Sequence, residues 1–179
     1  MKGSDANSLC LECGLCCNGV IFAHGQLQPE DNIEQLAALG LKFAPNRQSA
    51  IGNRKFQQPC SAFTGCKCTI YSERPKYCRQ FECLLLKDVK RGRMKAGDAL
   101  KTIRKALKRV EAVKALLRAL GDEDESIALG KRFHRIKRRL ESGPLDAAHA
   151  EQFGELTLAM HDLNVLLSQA FYPGTGEAD

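Results

Sequence analysis

The chain of 179 residues contains no tryptophan, and aromatic residues make up only 6% of it. It has no cysteine after Cys83, although more than half of the sequence follows that position. No stretch approaches the length of a membrane span. The opening Met-Lys-Gly-Ser-Asp-Ala-Asn-Ser has a positive residue but no apolar run behind it, so it does not read as a secretory leader. The expectation is a protein of the cytoplasm with no membrane attachment. There is no Gly-x-Gly-x-x-Gly, no phosphate-binding loop, no Ser/His/Asp arrangement and no glycine-rich loop for S-adenosylmethionine. The Cys-x3-Cys-x-x-Cys spacing of radical enzymes is also missing. His24, His134, His149 and His161 form neither His-x3-His nor Glu-x-x-His. They read as surface or half-buried residues rather than ligands. Together these absences point away from catalysis by this chain alone.

What is present is cysteine. Cys10, Cys13, Cys16 and Cys17 fall within eight residues as Cys-x-x-Cys-Gly-x-Cys-Cys, and Cys60, Cys66, Cys68, Cys78 and Cys83 follow. A disulfide framework would leave one thiol over, since the count is nine. It would also be out of place in a reducing cytosol. A thioredoxin-like pair would need a βαβ pattern around Cys-x-x-Cys, and none surrounds it. Metal binding is left as the reading, because thiolates are strong ligands for zinc and for iron–sulfur clusters. The run Cys10-x-x-Cys13-x-x-Cys16 is nearer to the ligand run of bacterial ferredoxins than to paired zinc knuckles. Both an iron–sulfur cluster, of the 4Fe–4S type, and zinc stay open. Gly14 is expected to let the backbone turn with positive φ beside the crowded thiols. Pro75 fixes its own φ and biases Arg74 toward an extended conformation, a turn that presents Cys78.

Two stretches carry a family resemblance. One is residues 10–17. The other is Cys68-Thr-Ile-Tyr-Ser-Glu-Arg-Pro-Lys-Tyr-Cys78-Arg-Gln-Phe-Glu-Cys83, with Cys60-Ser-Ala-Phe63 between them. Together they resemble the YkgJ-type cysteine-cluster family, whose domain is described as chelating zinc or iron. A similar module occurs in flagellin lysine N-methylases, where it is thought to hold an iron–sulfur cluster. The resemblance implies eight ligand positions: Cys10, Cys13, Cys16, Cys17, Cys60, Cys68, Cys78 and Cys83. Cys66 departs from the pattern as an extra thiol. Arg74 and Arg79 would offset the negative charge of a thiolate site and donate hydrogen bonds to sulfur.

The fold class expected is mainly α. A small irregular cysteine-rich metal-binding module over residues 1–92 precedes a three-helix antiparallel region over 93–172 and a disordered tail over 173–179. In the first part, 29–40 reads as a short helix opened by acids and closed by Gly40. Residues 41–60, with Pro45, Gly52 and Pro59, read as irregular. Phe81, Leu84, Leu85 and Val89 recur at helical spacing within 75–90. In the second part, one helix is expected from an Asp98 cap to Gly121, with a stripe of Leu100, Ile103, Leu107, Val110, Val113, Leu117 and Leu120. A second carries Ile127, Leu129, Phe133, Ile136 and Leu140, starts from the acids of 122–125 and ends at Ser142-Gly143-Pro144. A third spans Asp146 to Phe171 with Phe153, Leu156, Met160, Leu163, Leu167 and Ala170 inward.

The formal charge of +6 is unevenly placed. Lys87, Lys90, Arg91, Arg93 and Lys95 form one basic group, and Lys131, Arg132, Arg135, Lys137, Arg138 and Arg139 form another on the second helix. Such a helix can track phosphates, although no base-reading motif accompanies it. The function read from the sequence is a metal-binding protein acting in electron transfer, metal handling or redox or metal sensing. Two alternatives stand beside it: a cluster-bearing enzyme or enzyme subunit of the protein-modification type, and a metal-dependent nucleic-acid-binding regulator. A protein partner is compatible with each.

Overall fold

The computed structural model describes residues 4–43, 54–65, 67–143 and 146–172. Cys66, Pro45, Gly52, Pro144 and the tail 173–179 lie outside the described residues. Among those described, seven helices and two small strand pairs form a mainly α fold with an irregular N-terminal module.

Helix α1 (Ser4–Cys13) leads into a tight turn at Gly14–Asn18, where the amides of Cys17 and Asn18 both donate to the Gly14 carbonyl at 2.8 and 2.9 Å. Strand β1 (His24–Gln26) then pairs antiparallel with β2 (Lys55–Gln57), Gly25 opposite Phe56. The stretch 41–60 is thus not irregular throughout. Phe56 is buried between exposed Lys55 and Gln57, a period-two signal only three residues long. Helix α2 (Ile33–Ala38) starts later than its acids suggested. Asn32 caps it by accepting from the Gln35 amide at 3.0 Å, while Glu30 and Asp31 stay in the preceding turn. A hairpin of β3 (Phe63–Thr64) and β4 (Lys67–Cys68) follows.

The helix expected within 75–90 is two helices, α3 (Lys76–Gln80) and α4 (Leu84–Lys90), broken at Phe81-Glu82-Cys83. Phe81 and Cys83 both have extended backbones, and Leu85 and Leu86 are the buried residues of α4.

The three long helices are α5 (Ala96–Ala119), α6 (Leu129–Glu141) and α7 (Ala147–Ala170). Asp98 lies inside the first turn of α5, and Lys95 occupies the cap position. Gly121 follows the α5 C-cap at φ +79°, a left-handed conformation that glycine adopts without Cβ cost. The acids of 122–125 do not open α6. They form the connection before it, because Asp122 is drawn inward to arginines of α6. Asp146 caps α7 by accepting from the His149 amide at 2.9 Å.

Two apolar clusters hold the molecule. The larger joins Leu9, Leu15 and Ile21 with Leu85 and Leu86 and with the inward faces of α5, α6 and α7, including Ile103, Val110, Val113, Leu117, Ile136, Leu156, Leu163, Leu167 and Phe171. Each fully buried Leu, Ile or Phe there contributes about 1.5–3 kcal/mol of transfer free energy. The stripes expected of the long helices therefore face this core, with Leu107, Phe153 and Met160 at its margin; Ile127 is the exception, lying in the connection before α6 and outside the cluster. The smaller cluster is Leu27, Leu36, Leu41, Phe56, Ala62 and Ile70.

Backbone bonds fasten the long helices to the cysteine-rich part at two points. The Leu129 amide, at the start of α6, donates to the Gly19 carbonyl at 3.0 Å. The Leu84 amide, at the start of α4, donates to the Phe171 carbonyl at 3.2 Å, just past the end of α7. No helix among the described residues is long and apolar enough to cross a membrane.

Candidate metal centre

The eight described cysteines are all free thiols. They line one cavity of about 160 Å³. Helix α1 supplies Cys10 and Cys13 from its last turn, and the turn after Gly14 supplies Cys16 and Cys17. Cys60 enters from the loop after β2, with its amide donating to the Cys17 carbonyl at 2.8 Å. Cys68 ends β4, Cys78 lies within α3 and Cys83 occupies the position before α4. Residues 10–17 are thus brought to the same place as Cys60, Cys68, Cys78 and Cys83. Among the described residues, no three His, Cys, Asp or Glu side chains close on a single ion position. The thiols surround a space rather than meeting at a point.

Gly14 makes the crowding possible. Its φ of +63° is the left-handed turn expected of it. A Cβ there would lie 2.4 Å from the ring of Phe63, so the ring occupies the space that a side chain would need. Apolar residues from both parts of the chain also line the cavity, among them Leu85 and Leu86 of α4, Ile103 of α5 and Phe171 after α7.

The surroundings favour the protonated form of seven of these thiols. Burial pushes Cys13, Cys17 and Cys78 up to about 12. Burial, followed by the charge of Cys13, pushes Cys16 well above the usual thiol value. Cys60 and Cys83 are also raised by burial; Cys10 has an exposed side chain, yet the protein packed around its sulfur and then the charge of Cys83 raise it too. Thiols held up in this way are poor nucleophiles and poor redox partners on their own. A cation among them reverses the balance, since a coordinating thiol is deprotonated outright. The donor set therefore fits a metal or an iron–sulfur cluster better than it fits a reactive pair.

Arg74 is the cation already in place. It lines the cavity, and its guanidinium lies 3.7 Å from the centre of the Tyr71 ring while donating to the Tyr71 carbonyl at 3.3 Å. Its Nε is buried and has no hydrogen-bond partner. Its charge opposes the rise at both Cys10 and Cys78. An orphaned donor next to clustered thiols suits sulfur ligands that carry negative charge. Arg79 lines the same cavity but is exposed at the end of α3. His24 is exposed on β1, and His134, His149 and His161 are exposed on α6 and α7.

One positioning residue went unread in the sequence. Asp31 is nearly buried, and its two carboxylate oxygens accept from the Gln28 amide and the Lys76 amide, each at 2.8 Å. The second bond fixes the start of α3 and hence the place of Cys78. The acid-then-Asn pair before α2 is the sort of signal that marks such a turn, but the partner 45 residues away is not visible in a linear pattern.

The basic residues of α6 are engaged in part. Arg132 and Arg135 both pair with Asp122, Arg135 also with Asp124, and Arg139 donates to the Leu120 carbonyl. Lys137 faces Glu141 at 3.8 Å. Lys131 and Arg138 stay exposed, and the bonds of Arg138 and Arg139 go to carbonyls rather than acids, so the acids meet only part of the positive face.

Residues 9–105 match the model of a family named CxxCxxCC and described as "Putative zinc- or iron-chelating domain". The match covers more than half of the chain, contains all eight cysteines of the cavity and ends within α5. No curated protein and no solved structure matches the chain.

Proposed function

The chain belongs to the CxxCxxCC family, and on that premise we propose that it is an iron–sulfur protein whose thiols at Cys10, Cys13, Cys16, Cys17, Cys60, Cys68, Cys78 and Cys83 are the ligands. The observation that carries this reading is that all eight thiols line one cavity, three of them in the ferredoxin-like run Cys10-x-x-Cys13-x-x-Cys16. Structural zinc is more often held by two separated Cys-x-x-Cys pairs, whereas closely spaced thiolates wrap a cluster. When bound, such a cluster supplies one-electron chemistry, with a potential set by net charge, hydrogen bonds to sulfur and solvent exposure.

The chain's own residues set those conditions. The apolar wall of Leu85, Leu86, Ile103 and Phe171 limits water on one side. Arg74 offers a buried donor and a positive charge to the sulfurs, which favours retention of the ligands in their charged form. Arg79, at the rim, adds positive charge at longer range. The absence of a substrate-binding motif directs the role toward electron transfer or redox sensing rather than catalysis by this chain, and free thiols of this density suit the cytoplasm.

Anaerobic purification followed by an optical spectrum and metal analysis tests the proposal. A brown protein with visible charge-transfer bands and iron matched by acid-labile sulfide is the expected result. A colourless protein with stoichiometric zinc replaces the cluster by a structural zinc site, and a metal-free protein overturns the reading.

A further inference from the structure

We propose that the eight thiols are two four-ligand sites, one of Cys10, Cys13, Cys16 and Cys83 and the other of Cys17, Cys60, Cys68 and Cys78, divided at the peptide bond between Cys16 and Cys17. The inference rests on the metal-binding reading above and deepens it by assigning each thiol to a site.

The division follows from which parts of the fold carry each thiol. Cys13, Cys16 and Cys83 pack against the larger apolar cluster, which the long helices share. Cys60, Cys68 and Cys78 pack against the smaller one, built on Leu27, Leu36, Leu41, Phe56, Ala62 and Ile70. The break between α3 and α4 enforces this. Had 75–90 been one helix, Cys78 and Cys83 would ride on a single rod. Instead the extended residues Phe81 and Cys83 send Cys83 to the start of α4, which packs against α1, the helix that ends with Cys10 and Cys13. Cys78 stays in α3, which Asp31 ties to the smaller cluster's side through the Lys76 amide.

The backbone joins the second group in the same way. The Cys17 carbonyl receives the Cys60 amide, the Cys60 carbonyl receives the Phe63 amide at 3.0 Å, and Phe63 is the strand partner of Cys68. A continuous hydrogen-bonded path thus connects three of that site's four residues. The charges that each thiol feels agree. Cys10 and Cys13 both feel Cys83, and Cys13 also feels Cys10. For Cys17 the strongest thiol neighbours are Cys60, Cys78 and Cys68, ahead of Cys10. Cys78 feels Cys60 and Cys68. Cys16 feels Cys13 first and then Cys17, as residues joined by one peptide bond must.

Adjacent residues in a non-helical turn project to different sides, so one dipeptide can serve two sites. Arg74 acts on Cys10 of one and Cys78 of the other. Because it lines the shared cavity, one guanidinium can offset charge in both.

The test counts metal per chain after anaerobic reconstitution with ferrous iron and sulfide, by elemental analysis and by native mass spectrometry. The variants are Cys83→Ala, Cys78→Ala, the same-site double Cys10→Ala/Cys83→Ala and the cross-site double Cys83→Ala/Cys78→Ala. Each single variant should hold half of the wild-type metal. The same-site double should match the singles, and the cross-site double should hold almost none. Equal metal in the two doubles, or complete loss in a single variant that keeps wild-type helical circular dichroism, overturns the division. For variants that do not fold, the wild-type mass spectrum decides: two cluster masses per chain support the division and one overturns it. A wild-type chain with one cluster leaves the metal-binding reading standing, whereas one that takes up no metal removes both.

Discussion

The guanidinium of Arg132 and the carboxylate of Asp122 form an ion pair at 2.9 Å in which each side chain is only 1% exposed. Arg132 also donates to the Asp122 carbonyl at 2.7 Å, and Arg135 donates to the second carboxylate oxygen at 2.8 Å. The pair fastens the connection after α5 to the first turns of α6. Removing one partner leaves a buried charge uncompensated, which costs far more than the intact pair contributes.

Asp122→Ala is therefore expected to destabilise the protein by about 3–5 kcal/mol. Urea unfolding followed by helical circular dichroism measures it. Replacing Arg132 by Met and Asp122 by Leu together should cost much less. A double replacement as damaging as Asp122→Ala alone would show that packing rather than charge governs this position.

Gly14→Ala places a methyl 2.4 Å from the Phe63 ring at a residue with φ +63°. Left-handed strain and overpacking together should cost about 2–4 kcal/mol. Phe63→Ala in the same chain should relieve the overpacking part, so the double variant should lose less than the sum of the singles. Strict additivity in thermal or urea melts would contradict the contact.

Alkaline pH should unfold the metal-free protein before the loaded one. Cys13, Cys17 and Cys78 are held up to about 12 in the fold, against about 8.5 in an unfolded chain. Between those values the folded state keeps protons that the unfolded state has lost, so stability falls as pH rises. The contribution is whole below about pH 8.5 and disappears as pH climbs toward the folded value. Melting temperatures recorded from neutral to strongly alkaline pH check this. A metal-free midpoint that does not fall above the ordinary thiol range would show that the thiols are not held protonated by the fold.

Arg74→Gln should weaken metal retention about 10–100-fold, the usual effect of removing a group that supports ligands from behind. Because Arg74 opposes the rise at Cys10 and Cys78, loading must displace more tightly held protons in the variant. The pH at half-loading should move upward. Arg74→Lys keeps the charge and should recover part of the effect. Competition with a chelator across pH measures both quantities, and an unchanged half-loading pH would remove Arg74 from the site.

With Arg132 and Arg135 paired to Asp122 and Asp124, α6 keeps only Lys131, Arg138 and Arg139 as cations without an acid partner among the described residues and is expected to be a poor phosphate-tracking helix. Anisotropy titration with duplex DNA and with RNA at moderate salt is expected to show no binding at micromolar protein. Binding with a steep salt dependence that is abolished by Lys131→Ala/Arg138→Ala would reverse this expectation.

The long helices were legible because their stripes repeat over several turns, as Ile103, Val110, Val113 and Leu117 do over about four. Gly121 and Asp146 marked their ends correctly, since each acts through a local bond or a local φ. Errors arose where a local rule met a distant partner. The acids at 122–125 satisfy the sequence rule for a helix start, but Asp122 gains more from two arginines of α6 than from a helix end. Glu30 and Asp31 likewise precede α2, yet Asp31 serves α3 instead. Periodicity ran through 75–90 without a sign of the break, because Phe81 is compatible with either state and finds its place in edge-on contacts with Phe22. The thiols themselves could be named from spacing. Their grouping depends on that break and on which apolar cluster each one meets, and neither is written in the order of the cysteines.

The family match ends at residue 105, within α5, whereas Phe171, fully buried and part of the cavity wall, lies 66 positions beyond it. The recognisable stretch is consequently not a transplantable unit. A fragment cut at its boundary would lose the carbonyl that receives the Leu84 amide and the amide that Gly19 receives from Leu129. It would also lay Leu9, Leu15, Leu85 and Leu86 open to water. Anyone grafting this thiol cage into another protein must carry the chain through to Tyr172, or supply from the host an apolar surface of the same shape.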